Sequence, residues 1–218
     1  MVETQKEWNI QLPKFQSNPE MLELLPHPLE NENIIQNCIL SSCSIEDEDA
    51  DRVVISQVRM VHVGFYSVSL PYADITDVVF DHCNLANVDF SNSVLHRVHF
   101  LGCNLVGTIF SSSTLRNIRF EECSAEHQSF RFADCSQVLF DNCKMAFSDF
   151  QESKLTKTKF HQCDLRTVQM SGTSLSGIDL SENDIEGMSA SLQDWKGAVI
   201  SPFQAVNIIG QLGLVVKS

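Results

Sequence analysis

Residues 73–110 read ADITDVVFDHCNLANVDFSNSVLHRVHFLGCNLVGTIF, with a large apolar side chain at every fifth position. Outward from this stretch the period runs from Ile55 to Ile185, and only Ala125 and Cys135 at these positions are not large apolar residues. An α-helix repeats its buried face every 3.6 residues and a strand every two, so neither produces a sustained period of five. The pattern therefore predicts a repeat architecture.

A second period, of 20 residues, is superimposed on the period of five. Six cysteines fall on one 20-residue grid, namely Cys43, Cys83, Cys103, Cys123, Cys143 and Cys163. Phenylalanines fall on two further columns of the grid, Phe80 to Phe160 and Phe90 to Phe150. Four five-residue units therefore make one coil, and coils stacked at about 4.8 Å give a square rod of roughly seven coils.

Several units share an order of residues, in which a small residue precedes Asp or Asn and then a large apolar residue. These units are Ala73-Asp74-Ile75, Cys83-Asn84-Leu85, Val88-Asp89-Phe90, Cys103-Asn104-Leu105, Ser148-Asp149-Phe150 and Cys163-Asp164-Leu165. In them the sequence resembles the pentapeptide repeat proteins, whose unit is written A(D/N)LXX. The resemblance implies an all-β fold, a right-handed quadrilateral β-helix, and the right-handed crossover rule agrees with it. A short C-terminal α-helix is expected to follow the β-helix.

Three regions are predicted from the extent of the period. Residues 1–33 are polar and contain prolines, which predicts an N-terminal arm or cap, and residues 34–188 form the β-helix. Within the β-helix, residues 46–52 are expected to be irregular and to bulge outward, because Glu48 occupies a small inward position. Residues 189–218 form a C-terminal cap, as a solenoid needs covered ends.

The C-terminal cap contains a helix signature. Ser201-Pro202-Phe203-Gln204 combines an N-cap serine, a proline at the first helical position and a capping-box glutamine, which predicts a helix over about 202–212. Its apolar face consists of Ala205, Ile208, Ile209 and Leu212, and residues 214–216 read as a short strand. This face either covers the last coil or dimerises. Quinolone-resistance pentapeptide proteins dimerise through such a helix and tail, so the resemblance implies a homodimer.

Cysteines and histidines offer no strong catalytic or metal signature. All eight cysteines, including Cys38 and Cys135, occupy inward positions and none has CxxC spacing, so they are predicted to pack in the core. His62, His82 and His99 lie on one face of adjacent coils, and solvated imidazoles are favoured over a surface metal site. Motifs of nucleophilic, phosphate-binding and metallopeptidase sites are absent. We therefore expect no enzyme, no metal and no cofactor.

The net charge points to the kind of partner. The formal charge is −13, which disfavours direct binding to nucleic acid or to an anionic membrane and favours a basic protein surface. The sequence has no apolar run of 18 residues, and Met1 to Glu7 lack the apolar stretch of a signal peptide, so a cytoplasmic location is expected.

Two partner hypotheses follow. Quinolone-resistance pentapeptide proteins are acidic rods that mimic duplex DNA and engage type II topoisomerases, so the resemblance implies DNA gyrase as a partner and an effect on its activity or fluoroquinolone sensitivity. The acidic residues assigned to this contact are Asp81, Glu121, Glu122 and Asp141 on one face, and Glu46, Asp47, Glu48, Asp49 and Asp51 in the acidic segment. The alternative is an interaction scaffold with an unidentified partner, which uses the outward Phe132 and Phe147.

Overall fold

The computed structural model describes residues 10–24 and 28–211. Within these ranges the chain forms ten strands and one helix. The strands are β1 (Glu20–Leu22), β2 (Ile34–Ser41), β3 (Ser44–Glu46), β4 (Val54–Val61), β5 (Gly64–Tyr66), β6 (Asp74–Asp81), β7 (Val94–Leu101), β8 (Thr114–Glu121), β9 (Asp134–Asp141) and β10 (Lys154–His161), and the helix is α1 (Pro202–Gln211).

The long strands stack in a single parallel sheet in the order β1-β2-β4-β6-β7-β8-β9-β10. From β2 onward the register advances by 20 residues per strand, so that Phe80 pairs with Phe100 and Phe100 with Phe120. Parallel bridges with the same 20-residue offset join the remaining segments, as between Asn84 and Asn104. The fold is thus the right-handed quadrilateral β-helix that the resemblance implies, and its coils have the 20-residue period predicted from the sequence.

The interior is filled by columns of aromatic rings. Phe120 lies between Phe100 and Phe140, with ring centroids 4.8 Å from each and the rings within 5° of parallel. Phe110 and Phe130, from the second column, meet Phe120 edge-to-face at 6.0 and 6.2 Å. Both geometries are favourable for aromatic pairs, and all five rings are fully buried. Each coil therefore contacts mainly the coils before and after it.

The corners of the coil have left-handed backbone conformation. Most residues with numbers ending in 2 or 7 have φ near +55°, and few of them are glycines; Asn92 and Phe132, for example, both have φ of 59°. A side chain in this conformation costs about 1–2 kcal/mol, which the stacking of neighbouring coils must outweigh. Side chains at these corners project away from the rod, and this is the position of Phe132 and Phe147.

The predicted outward bulge at residues 46–52 is wrong, because the segment forms a regular coil. Ile45 and Ala50 are buried at the expected inward positions. The backbone N–H groups of Asp47 and Ala50 donate to carbonyls one coil further on, as elsewhere in the rod. Glu48 is half-buried at its inward position. A regular path satisfies the backbone hydrogen bonds of this segment, and a bulge would leave them unpaired.

Both ends of the rod are covered. β1 pairs with β2 and covers the first long strand, with Glu20 opposite Cys38. At the other end Gln204 is buried, and its Nε2 donates to the carbonyls of Leu180 and Asn183. The predicted capping box is present, since Ser201 N–H donates to Gln204 Oε1 and Gln204 N–H to Ser201 Oγ. Leu212 and the predicted strand at 214–216 lie outside the described residues.

Candidate partner-binding surfaces

Charge divides the rod into two sides. We call the outward residues of the long-strand segments, such as 74–82 and 94–102, the strand side, and those of the alternate segments, such as 84–92, the turn side. Between residues 54 and 182 the strand side carries nine acidic residues, with these seven basic residues: Arg59, Arg97, Arg116, Arg119, Lys154, Lys157 and Lys159.

The turn side is strongly acidic. Its outward acidic residues between positions 44 and 188 are Glu46, Asp47, Asp49, Asp51, Asp89, Glu126, Asp149, Glu152, Asp164, Asp184 and Glu186. Only four basic residues accompany them over the same described coils, namely Arg52, Arg131, Lys144 and Arg166. Most of the rod's excess negative charge therefore faces away from the long-strand sheet.

The predicted acidic face lies on the strand side and is only partly assembled. Glu121 and Asp141 are neighbours in the register of β8 and β9. Asp81 is two coils from Glu121, and Leu101 lies between them. Glu122 is exposed at a corner and has no ion pair among the described residues. The structure thus places two of the four residues side by side on adjacent strands.

Neighbouring arginines compensate three of these carboxylates, and the one nearest Asp81 is Arg59, whose guanidinium lies 4.0 Å away. Arg119 approaches Glu121 Oε2 with its Nε at 3.0 Å and Asp141 Oδ2 with its second guanidinium nitrogen at 3.5 Å. The ring of His161 lies 2.7 Å from Asp141, and the ring of His82 lies 2.6 Å from Asp81. This cluster is a network of ion pairs, so it does not present an uncompensated anionic stripe.

Histidines on this face do not form a metal site. The rings of His62 and His82 lie 5.5 Å apart, whereas His99 is hydrogen-bonded to Glu121 at 3.1 Å. Burial lowers the pKa of His99, against the opposing effect of Glu121. Across the described residues no group of three or more His, Cys, Asp or Glu side chains is arranged to hold a metal ion.

The acidic segment is assembled as one exposed coil of the turn side. Glu46, Asp47 and Asp49 are exposed, and the carboxylates of Asp47 and Asp49 form no ion pair with any described residue. Asp51 differs, because its carboxylate lies 3.1 Å from the guanidinium of Arg52. Among the residues predicted for partner contact, this coil provides the least compensated charge.

The two exposed phenylalanines lie at the two corners that bound one face of the turn side, in adjacent coils. Phe132 is 57% and Phe147 56% exposed. Phe147 stacks on His127 with ring centroids 5.1 Å apart, and the Arg131 guanidinium lies 5.6 Å from the Phe132 ring centroid. A flat polar face rimmed by two aromatic rings is the result.

Cysteine packing matches the sequence prediction. All eight cysteines are free, and seven of them are buried, Cys43 being half-buried. The thiols of the 20-residue column donate weak hydrogen bonds to backbone carbonyls, as Cys103 does to Phe80 at 3.3 Å. Burial raises the pKa of Cys135 to about 12. A thiol held neutral in this way is a poor nucleophile.

Helix α1 presents a different apolar face from the predicted one. Ile208 packs against the core next to buried Gln204, and Ala205 is half-buried. The exposed apolar side chains are Phe203, Val206 and Ile209. Gln204 accounts for the difference, because its amide binds the carbonyls of the last coil and so directs positions 204 and 208 toward the rod. Of the predicted face, Ile209 alone is exposed among the described residues.

Residues 10–15 of the N-terminal arm lie along the strand side, which the sequence did not predict. Gln11 N–H donates to Asn117 Oδ1 at 3.1 Å, and Lys14 N–H donates to Asp77 Oδ1 at 2.9 Å. Asp77 also forms a two-pronged ion pair with Arg97, at 2.6 and 2.7 Å. Burial opposes ionisation of Asp77, but the bonds from Arg97 and Lys14 outweigh it and lower the pKa of Asp77.

In the described part of the chain, no helix has the length and apolar character needed to cross a membrane.

Solved structures of two proteins are similar to this chain. HetL, a pentapeptide repeat protein involved in heterocyst differentiation regulation from the cyanobacterium Nostoc sp. strain PCC 7120, is 19% identical, with 78% of this chain and 90% of HetL covered and a TM-score of 0.41. A trypsin-treated form of QnrB1, a plasmid-mediated fluoroquinolone resistance protein, is 17% identical, with coverages of 91% and 98% and a TM-score of 0.43. Comparison with curated protein sequences gave no match.

Family models match the sequence directly. A model described as a pentapeptide repeat region matches residues 73–142, and a model of eight pentapeptide repeats matches residues 143–182. The first match ends at the residue before the second begins, and together they cover half of the chain. By its repeat, its coil geometry and these matches, the chain belongs to the pentapeptide repeat family.

Proposed function

We propose that this protein is a non-enzymatic acidic rod that mimics DNA and binds a basic-surfaced cytoplasmic partner, with the type II topoisomerase DNA gyrase as the specific candidate. The contact surface in this proposal is the turn side. Binding there changes the activity of gyrase or its sensitivity to fluoroquinolones, because the rod competes for the surface that holds duplex DNA.

One observation carries the proposal, namely the concentration of uncompensated carboxylates on the turn side. Asp47, Asp49, Glu126, Glu152 and Glu186 have no ion pair with any described residue. The predicted acidic face, in contrast, is compensated by Arg59 and Arg119. A DNA-binding surface is complementary to uncompensated negative charge, and such contacts are sensitive to salt.

Charge reversal on the turn side tests the proposal. The unaltered protein is expected to inhibit gyrase supercoiling, and Glu126→Lys combined with Glu152→Lys is expected to raise the inhibitory concentration about tenfold, which corresponds to about 1.4 kcal/mol. The measurement is a supercoiling assay at two salt concentrations, with and without a fluoroquinolone. Inhibition by the unaltered protein should weaken at the higher salt concentration.

A matched control applies the same change of charge to the strand side. Asp74 and Asp179 are also exposed, so Asp74→Lys combined with Asp179→Lys should leave inhibition unchanged. Equal losses in both double variants would indicate only a general effect of net charge. No inhibition by the unaltered protein in large excess would exclude gyrase as the partner.

The proposal includes a homodimer joined through helix α1. Phe203 is 80% exposed, and with Val206 and Ile209 it forms an apolar strip on the free surface of the helix. A two-fold dimer would cover this strip and join two rods end to end.

A polar substitution in the strip tests the dimer. Phe203→Glu should convert the protein to a monomer without changing its thermal stability by more than a few degrees, as measured by sedimentation equilibrium and thermal melting. Leu24→Glu is the control, because Leu24 is an apolar residue at the opposite end of the rod and is also well exposed, at 67%. A monomeric unaltered protein, or a Phe203→Glu variant that stays dimeric, would contradict this interface.

An interaction scaffold is the second candidate function, and the exposure of Phe132 and Phe147 favours it. Aromatic side chains at the rim of a flat face are common anchors of protein interfaces. A partner held by these rings would bind with little dependence on salt, in contrast to a DNA-mimic contact. This function would be favoured if Phe132→Ser and Phe147→Ser abolish partner binding and the charge reversals on the turn side leave it unchanged.

A further inference from the structure

Three outward residues of the strand side are buried, which is unusual for their positions. Asp77 is 6%, Val79 6% and Asn117 7% exposed. At the positions equivalent to Asp77 on other coils, Gln57 is half-buried and Lys157 is exposed. The N-terminal arm makes the difference, since its backbone lies against Asp77 and Asn117. We call the surface formed by Asp77, Val79, Arg97 and Asn117 the arm groove.

The spacing of the two donors in the arm matches the spacing of the two acceptors in the groove. Gln11 and Lys14 are three residues apart and span about 10 Å in an extended chain, while Asp77 and Asn117 are two coils apart, which is also about 10 Å. The arm therefore runs along the axis of the rod, perpendicular to the strands. Each bond uses a backbone N–H of the arm and a side-chain oxygen from a corner of the rod, a mode that any extended peptide can reproduce at this spacing.

Side chains of the arm contribute little to its attachment. Gln11, Leu12 and Lys14 are exposed, and Ile10 and Pro13 are half-buried. Phe15 remains largely exposed, with the guanidinium of Arg59 5.8 Å from its ring centroid. Because the segment has so few buried apolar contacts, the free energy needed to detach it is a small fraction of the free energy of global unfolding.

The groove itself is fixed by the rod. Arg97, from the next coil, holds both carboxylate oxygens of Asp77, and its side chain is itself mostly buried. Asn117 occupies a rigid corner with φ of 57°. Acceptors held in place in this way do not have to be ordered when a peptide binds, which favours binding.

We propose that the arm groove is a binding site for an extended peptide segment of a partner protein, and that the N-terminal arm is its displaceable occupant in cis. The segment carries an apolar residue and a proline three positions apart, as Ile10 and Pro13 do, each followed by a free backbone N–H. Detachment of the arm exposes the site. This proposal does not depend on the proposed gyrase contact, which uses the opposite side of the rod.

A trans peptide tests the site in the full-length protein. A labelled peptide with the sequence of residues 10–24 is titrated with the unaltered protein and with the double variant Gln11→Pro, Lys14→Pro, in which the arm lacks both N–H donors. Since a tethered occupant competes at a millimolar effective concentration, the peptide should bind the double variant at least tenfold more tightly. Fluorescence anisotropy provides the readout.

Two controls assign the binding to the groove. Adding Asn117→Gly to the double variant removes one acceptor at a corner whose positive φ suits glycine, and should weaken binding about tenfold. A peptide with proline at both donor positions should not bind. Unchanged melting temperatures verify that the variants are folded. Equal affinity for the unaltered and double-variant proteins, or no binding to the double variant at millimolar peptide, would overturn the proposal.

Discussion

A Phe120→Asp variant should be unfolded at 25 °C. Phe120 is fully buried between two parallel rings and two edge-on rings, so the substitution removes four aromatic contacts and places a carboxylate where no described group can pair with it. Loss of a buried phenylalanine costs about 3–5 kcal/mol, and the unpaired charge adds several more. The total is of the order of the stability of an ordinary domain.

Far-UV circular dichroism and urea titration measure this effect. Phe132→Asp is the matched control, because Phe132 is also a phenylalanine but is exposed at a corner two units further along the chain. This control should melt within a few degrees of the unaltered protein. A Phe120→Asp protein that melts cooperatively at a similar temperature would contradict the position of Phe120 inside the stack.

Asp77→Asn should cost about 2 kcal/mol of unfolding free energy at pH 7, and this is the second large effect. The change keeps the shape of the side chain and its tolerance for positive φ, but it leaves the mostly buried Arg97 without its counter-charge. Removing one member of a buried pair costs about 3–5 kcal/mol, and the partial exposure of Arg97 reduces this figure. Asp74→Asn, at an exposed position of the same strand, should have little effect.

The stability difference should depend on pH in a defined direction. The pKa of Asp77 is lower in the folded protein than its ordinary value of 3.8, so its ionised form stabilises the fold. This contribution is fully present at neutral pH and is lost as the pH falls below 3.8 and through the folded pKa. Urea titrations at pH 7 and at pH 3 should therefore show a smaller difference between Asp77→Asn and the unaltered protein at the acid end. A constant difference would exclude the charge as its cause.

Inward positions of the coil were predictable because they follow from one period. Every coil buries a large residue at each fifth position and a small residue two positions earlier. The prediction therefore needs no knowledge of contacts between residues that are distant in sequence. The capping box at Ser201 was predictable for a similar reason, since its bonds span three residues. The bulge predicted from Glu48 was wrong because an inward charge does not determine the path of the coil, whereas the hydrogen-bonded backbone ladder does.

The candidate surfaces were less predictable because they depend on the reach of side chains. The 20-residue grid places Glu121 and Asp141 on one face, but it does not indicate that Arg119 bridges them. The rotation of α1 depends on the amide of Gln204, which binds carbonyls more than 20 residues away. The path of the arm could not be predicted, because residues 1–33 have no period from which a register could be inferred.

The stacking of one coil on the next also sets a length scale. Seven long strands follow one another from β2 to β10, and at about 4.8 Å per layer they span about 34 Å. One helical turn of B-DNA is about 34–36 Å long, but its phosphates recur about every 3.4 Å along each strand. Carboxylates that repeat once per coil, about every 4.8 Å, therefore cannot coincide with successive phosphates, although seven coils are about as long as ten base pairs. A protein channel that holds one helical turn of duplex could accommodate the stacked strands along their length, but few of their carboxylates would lie level with a phosphate.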